Sequence, residues 1–255
     1  MDPYRDTPKS HPAVPIAIVV GFAMVALAVF FTGGNDSVPI QLPPNVAQED
    51  ALAGTVRPVD GTDYIKGNPN APILMIEYSD YDCPFCKQYH DTLTQIMNEY
   101  GISGRVAWVY RQFPLEQLHP NSPKVSEAAL CVGSLGGSAA FWKFTDAIFA
   151  NRELEEPTNT IALPDLATES GVDRAAYQSC VSSGQMKEKV STSVEEAFAL
   201  GAKGTPYTVL IVGNEQAVIN GAQSYDVVKS IVENLIQQLD GTYNQNASST
   251  YKATQ

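Results

Sequence analysis

The stretch that most constrains this chain is Glu77-Tyr78-Ser79-Asp80-Tyr81-Asp82-Cys83-Pro84-Phe85-Cys86, in which a hydrophobic strand runs into a CxxC pair. Ile73 to Tyr78 is a short, nearly continuous apolar run, the pattern of a strand buried on both faces. After Cys86, the residues Tyr89, Leu93, Ile96, Met97 and Tyr100 recur at helical spacing, and Gly101 stands where a helix stop is expected. The strand therefore delivers Cys83 to the first turn of a helix. There, unpaired backbone N–H groups and the positive end of the helix dipole favour a thiolate over a thiol. This makes Cys83 the nucleophile and leaves Cys86, one turn inside, less exposed. Pro84 suits a first helical position, which has no use for an N–H.

A CxxC pair is also half of a zinc site. A closed tetrahedral site needs two further soft ligands at close spacing, and Cys131 and Cys180 are far apart and form no second CxxC. Thiol–disulfide chemistry is the preferred reading, with no metal and no cofactor. Four cysteines suit one catalytic and one structural pair. Cys131 and Cys180 both fall in apolar-patterned helical segments and are expected to form the structural disulfide. A formal charge of −12 without a Lys/Arg cluster argues against a nucleic-acid partner.

Upstream, Met1 to Pro12 is a polar head carrying Arg5 and Lys9, followed by Ala13 to Phe31 without a charge. That length spans a bilayer as a helix. A cleaved signal peptide is the alternative, with Ala26-Leu27-Ala28 at cleavage spacing, but signal cores are typically about 7–15 residues. No basic residue follows until Arg57, so the positive-inside rule keeps residues 1–12 cytoplasmic and sends the chain after the anchor at 13–32 across the membrane. That side is oxidising. Residues 33–60, rich in Pro, Gly, Asn and Asp, read as a tether closed by a short strand, with a reach of roughly 30 Å.

Arg105 to Phe113 alternates and is rich in Val, Trp and Tyr, a second strand. Residues from about 117 to 200 are helical in pattern, punctuated by Gly133 to Gly137 and by Pro157 to Pro164. After Gly204-Thr205-Pro206 come the strand Tyr207 to Val212, the turn Gly213-Asn214, the return strand Ala217 to Ile219, and an amphipathic helix from Ser224 to Leu239. Residues 241–255 are polar and expected to be unstructured. Without the helical block, the order is that of a thioredoxin-type α/β domain over residues 61–240.

In GNPNAP (Gly67 to Pro72), EYSDYDCPFC (Glu77 to Cys86), FPL (Phe113 to Leu115), AALC (Ala128 to Cys131), FW (Phe141, Trp142) and GTP (Gly204 to Pro206), the chain resembles the DsbA-like thiol–disulfide oxidoreductases. The resemblance implies a thioredoxin fold with an inserted α-helical domain. It also implies Cys83 as the attacking and Cys86 as the resolving cysteine, with Pro206 as a cis-proline facing them. Thr205, Pro84 and Phe85 would meet substrate, Thr205 through backbone groups free to pair with a substrate strand. Glu77 matches the buried acid beneath the active site, where burial raises its pKa and it exchanges a proton with Cys86; a strand-end Glu turned to solvent is the alternative. Phe85 is a departure, since oxidases of this kind often carry His there, and Asp80 and Asp82 would oppose a thiolate further. His90 reads as a surface or half-buried helix residue, and His119 is given no role.

The leading expectation is a single-pass, membrane-anchored enzyme that forms disulfides in reduced secreted proteins and is reoxidised by a membrane redox partner. A disulfide reductase or isomerase is the second reading. A non-catalytic metal-binding CxxC module is the third.

Overall fold

The computed structural model describes residues 52–252, with side chains described to residue 241. The expected head, the anchor at 13–32, most of the tether and residues 253–255 lie outside the described residues. Strands β1 (Tyr64–Gly67), β2 (Ile73–Ser79), β3 (Val106–Gln112), β4 (Tyr207–Val212) and β5 (Glu215–Asn220) form one sheet in the order β1-β3-β2-β4-β5. β2 and β3 pair in parallel and the other neighbours are antiparallel. The parallel pair needs a crossover, and α1 (Pro84–Ile96) with a π-helical turn (Met97–Gly101) supplies it.

Between β3 and β4 stand α2 (Ser122–Asn151), α3 (Leu163–Glu169), α4 (Arg174–Ser183) and α5 (Lys187–Ala199), and α6 (Tyr225–Lys252) closes the chain. Central β2 buries both faces, as its sequence requires. Ile73 and Met75 join Trp108, Tyr110 and residues of α1, α2 and α6 in one core, while Ile76 and Tyr78 join Val109, Val209, Ala197 and Leu200 in another. The thioredoxin-like α/β fold with a helical insertion is therefore present.

Two details differ from the sequence reading. The Gly133 to Gly137 stretch does not divide the helical block until Gly137, whose φ of 73° breaks α2. Gly133 stays helical, and the Tyr64 ring takes the place of a side chain there: a Cβ would come within 2.2 Å of the ring. The backbone of α6 stays helical past Leu239 to Lys252. Each added residue extends a helix that is already nucleated, and no proline interrupts it.

Cys131 in α2 and Cys180 in α4 are joined by a disulfide. It closes a loop of 49 residues in sequence separation, which on the chain-entropy model restricts the unfolded chain by about 4 kcal/mol. A buried ion cluster ties β3 to the segment before β1 and to α5. Arg111 on β3, 3% exposed, meets Asp63 at 3.0 Å and Glu196 of α5 at 2.8 Å, and donates to the Tyr78 hydroxyl at 3.0 Å. The pattern RVAWVYRQF shows an alternating strand but not this cation.

Candidate active site

β2 ends at Ser79, and the turn Asp80 to Asp82 carries the chain to the N-cap of α1, which is Cys83 itself. Asp80 holds this turn. Its carboxylate accepts from the backbone N–H of Asp82 (2.8 Å) and of Leu115 (2.7 Å), lies 2.9 Å from His119 Nδ1, and takes the Ser122 hydroxyl. One buried carboxylate thus ties the CxxC turn to the loop after β3 and to the start of α2. Asp82 Oδ1 accepts the backbone N–H of Thr158 at 2.8 Å. Besides their negative charge near the thiol, both carboxylates hold structure: Asp80 takes backbone and side-chain donors, and Asp82 takes one backbone donor. His119, given no role from the sequence, is among the donors to Asp80.

Cys83 and Cys86 are free thiols. Cys83 is 4% exposed at the rim and Cys86 is fully buried. The Cys83 thiol donates to the Thr205 carbonyl at 3.5 Å, and the Cys86 sulfur accepts the Asp80 N–H at 3.4 Å. Thr205 is half-buried, and Pro206, after a cis peptide bond, is buried. The Thr205 carbonyl, expected free for a substrate strand, is met by Cys83 in this state. Pro84 is half-buried and Phe85, 58% exposed, presents an apolar ring beside the thiol.

The electrostatics separate the two cysteines. The hydrogen bond from Cys86 lowers the Cys83 pKa to about 6 against the opposing effect of burial, helped by the Thr205 side chain and by the backbone N–H groups of Cys86 and Phe85. Burial first, and the neighbouring Cys83 next, push Cys86 well above its ordinary value. Glu77 is fully buried and turned inward, not to solvent, and accepts from the Trp108 indole at 2.9 Å. Burial raises its pKa to about 7, with Ser79 and Trp108 opposing. His90 is 5% exposed, not at the surface: it packs on Trp108 and Phe149 and lies 2.8 Å from Asp146. Burial lowers its pKa, and Asp146 opposes that.

Sequence reasoning missed Arg152. This side chain at the end of α2 is 5% exposed and donates to the carbonyl of Cys83 at 2.9 Å. It also donates to the carbonyls of Glu153, Leu154 and Glu156. The helical insertion therefore grips the CxxC turn twice, through Arg152 and through Thr158. A lone Arg after a helix of mixed composition gives no signal of this in sequence. Arg152→Met is expected to destabilise the protein by about 2 kcal/mol, because buried carbonyls lose a charged donor. Urea unfolding measures it, and an unchanged midpoint would contradict the assignment.

A family model described as thioredoxin matches residues 60–234. The chain is similar to BdbD from Bacillus subtilis, with a TM-score of 0.62 and 20% identity over 74% of this chain and 100% of that one. It is also similar to the thiol-disulfide exchange protein alpha-DsbA2 from Wolbachia pipientis, with a TM-score of 0.58 and 23% identity over 69% and 88% of the two chains. These likenesses agree with the fold that the sequence resemblance implies. Among curated proteins, the Na(+)/H(+) antiporter NhaA 1 of Mycolicibacterium gilvum is 28% identical over 155 residues, 59% of this chain. The chain spans about a quarter (24%) of that relative's length.

Proposed function

The chain belongs to the thioredoxin family, and on that premise we propose that it is a membrane-anchored, extracytoplasmic thiol–disulfide oxidoreductase that forms disulfides in reduced secreted proteins. The observation that carries this is the opposite displacement of the two cysteines. Cys83 at the rim is lowered to about 6 and buried Cys86 is raised. In the oxidised enzyme, a substrate thiolate attacks Cys83 Sγ, the Cys83–Cys86 bond breaks, and Cys86 leaves as a thiolate that takes a proton from Glu77. A second substrate thiolate then attacks the substrate sulfur of the mixed disulfide and releases Cys83 as the better leaving group. A partner disulfide, supplied by a membrane redox protein, returns the pair to the oxidised form.

A stabilised Cys83 thiolate favours the reduced enzyme and makes its disulfide an oxidant. The equilibrium potential of the pair against glutathione tests the direction. We expect about −120 to −200 mV, and a value near the −270 mV of thioredoxin would favour the reductase reading instead. In the same titration, Phe85→His adds a donor beside the thiolate and should raise the potential by about 30 mV.

The anchoring part rests on sequence: Ala13 to Phe31 is uncharged, Arg5 and Lys9 precede it, and no basic residue follows until Arg57. The mature protein should retain Met1 to Phe31 in the membrane fraction; an N-terminus beginning after Ala28 would refute it. The transport named for the antiporters is not part of this proposal, because the match spans only a quarter of their length.

A further inference from the structure

Arg152 is 5% exposed, and a guanidinium cannot shed its charge when buried. Charged side chains are almost never fully buried unless an opposite charge accompanies them. Arg111, 3% exposed, follows this rule with the carboxylates of Asp63 and Glu196. Arg152 does not. Its hydrogen bonds all go to backbone carbonyls, those of Cys83, Glu153, Leu154 and Glu156, and it forms no ion pair among the described residues. Its Nε has no partner there either. The side chains of Glu153, Glu155 and Glu156 are exposed on the same loop, so the loop gives Arg152 its carbonyls and leaves its carboxylates in solvent.

The position of this charge is specific. Its Nη2 lies 2.9 Å from the carbonyl oxygen of Cys83. Covalent geometry holds the carbonyl oxygen and Sγ of one residue within about 5 Å of each other, so the guanidinium stands within about 8 Å of the reactive sulfur. The other charged or titratable groups around the thiol are Glu77 of β2, Asp80 and Asp82 of the turn, and Cys86, all buried. Asp82 turns Oδ1 to the Thr158 N–H, and Asp80 has His119 against it. Lys87 of α1 is half-buried and gives its ammonium to the Phe149 carbonyl. Arg152 is thus the buried cation bonded to the residue that reacts.

We propose that Arg152 is the counter-cation of the Cys83 thiolate: the anion missing from its surroundings is the one that forms when the pair is reduced. The proposal rests on the oxidoreductase reading above and brings a residue of the helical insertion into the chemistry of the thiol. In the second step of that reaction, the incoming substrate thiolate attacks the substrate sulfur of the mixed disulfide. The bond to Cys83 breaks, and its electron pair returns to Cys83 Sγ as the negative charge that Arg152 meets. Arg152 neither gives nor takes a proton, and it touches no substrate atom, so it is a positioning residue. In the oxidised protein the guanidinium is again without an anion, which disfavours that form and adds to its strength as an oxidant.

The test follows thiolate absorbance against pH in the reduced full-length protein, together with the redox potential against glutathione. Arg152→Gln keeps an amide donor for the Cys83 carbonyl but no charge. It should raise the Cys83 midpoint, about 6 in the wild type, by about one pH unit. At about pH 8 its potential should be more reducing by about 30 mV, the equivalent of tenfold for a two-electron couple. That difference should vanish by about pH 5, where both proteins hold a protonated thiol. Arg152→Lys keeps the charge but cannot serve four carbonyls, so it should unfold at lower denaturant and still hold the wild-type midpoint. A purely structural role predicts the same displacement in both variants at every pH. Should Arg152→Gln fail to fold, Arg152→Met takes its place. The wild type also answers alone: the guanidinium nitrogen signals of Arg152 in NMR should titrate with the thiolate absorbance, and should not in Cys83→Ser. An unmoved midpoint in the uncharged variant, an equal shift in Arg152→Lys, or guanidinium signals indifferent to the thiol overturn the proposal. A wild-type disulfide that does not exchange with thiol peptides overturns the oxidoreductase reading instead, and leaves the thiolate titration to judge Arg152.

Discussion

Cys83→Ser should abolish turnover, with a loss of at least about 10³-fold, while Cys86→Ser should leave a chain that accumulates mixed disulfides it cannot resolve. The two cysteines are not interchangeable. With a pKa of about 6, Cys83 is mostly thiolate at neutral pH and stands at the rim; Cys86 is fully buried and mostly protonated there. Ionisation alone separates them by about a hundredfold or more, and access adds the rest. Peptide oxidation rates and non-reducing gels measure both outcomes. Appreciable exchange by Cys83→Ser would show that Cys86 can reach substrate, contrary to its position beneath the turn.

The second large effect is on stability. The Cys83 thiol falls from 9.0 to about 6 on folding of the reduced protein. Between these values the unfolded chain holds the proton and the folded one does not, so stability rises with pH, is complete above about 9 and is lost as pH falls through 6. Three pH units correspond to about 4 kcal/mol, and solvent screening at a thiol that substrates reach reduces this to about 3 kcal/mol. Glu77 works in the opposite sense. Its rise from 4.5 to about 7 makes stability fall between those values. Because Glu77 is present in both redox forms and the thiols in only one, the difference between reduced and oxidised protein isolates the cysteines. Denaturant titrations of both forms should show the reduced one gaining between roughly pH 6 and 9; parallel curves would mean that Cys83 is not perturbed.

The fold was legible where backbone chemistry leaves a local mark. The apolar run before Cys83, the spacing of Tyr89, Leu93 and Ile96, and Thr205-Pro206 before a β-branched run each appear within a few residues. Contacts between distant segments were not legible. Asp80 looked like a stray charge because its donors come from Leu115, His119 and Ser122. Arg111 and Asp63 are 48 residues apart, and nothing in either neighbourhood names the other. Gly133 read as a helix breaker because the Tyr64 ring that occupies its side-chain space belongs to a remote strand.

The grip of Arg152 and Thr158 on the residues flanking the reactive thiol also bears on recombination between relatives. A helical block bounded by β3 and β4 has the look of a cassette, with both ends on the same sheet. Exchanging it whole would nonetheless remove the donors to the Cys83 carbonyl and the Asp82 carboxylate. A productive crossover in this lineage would have to carry the turn Asp80 to Cys83 and the loop 152–158 together, although 69 residues separate Arg152 from Cys83 in the chain.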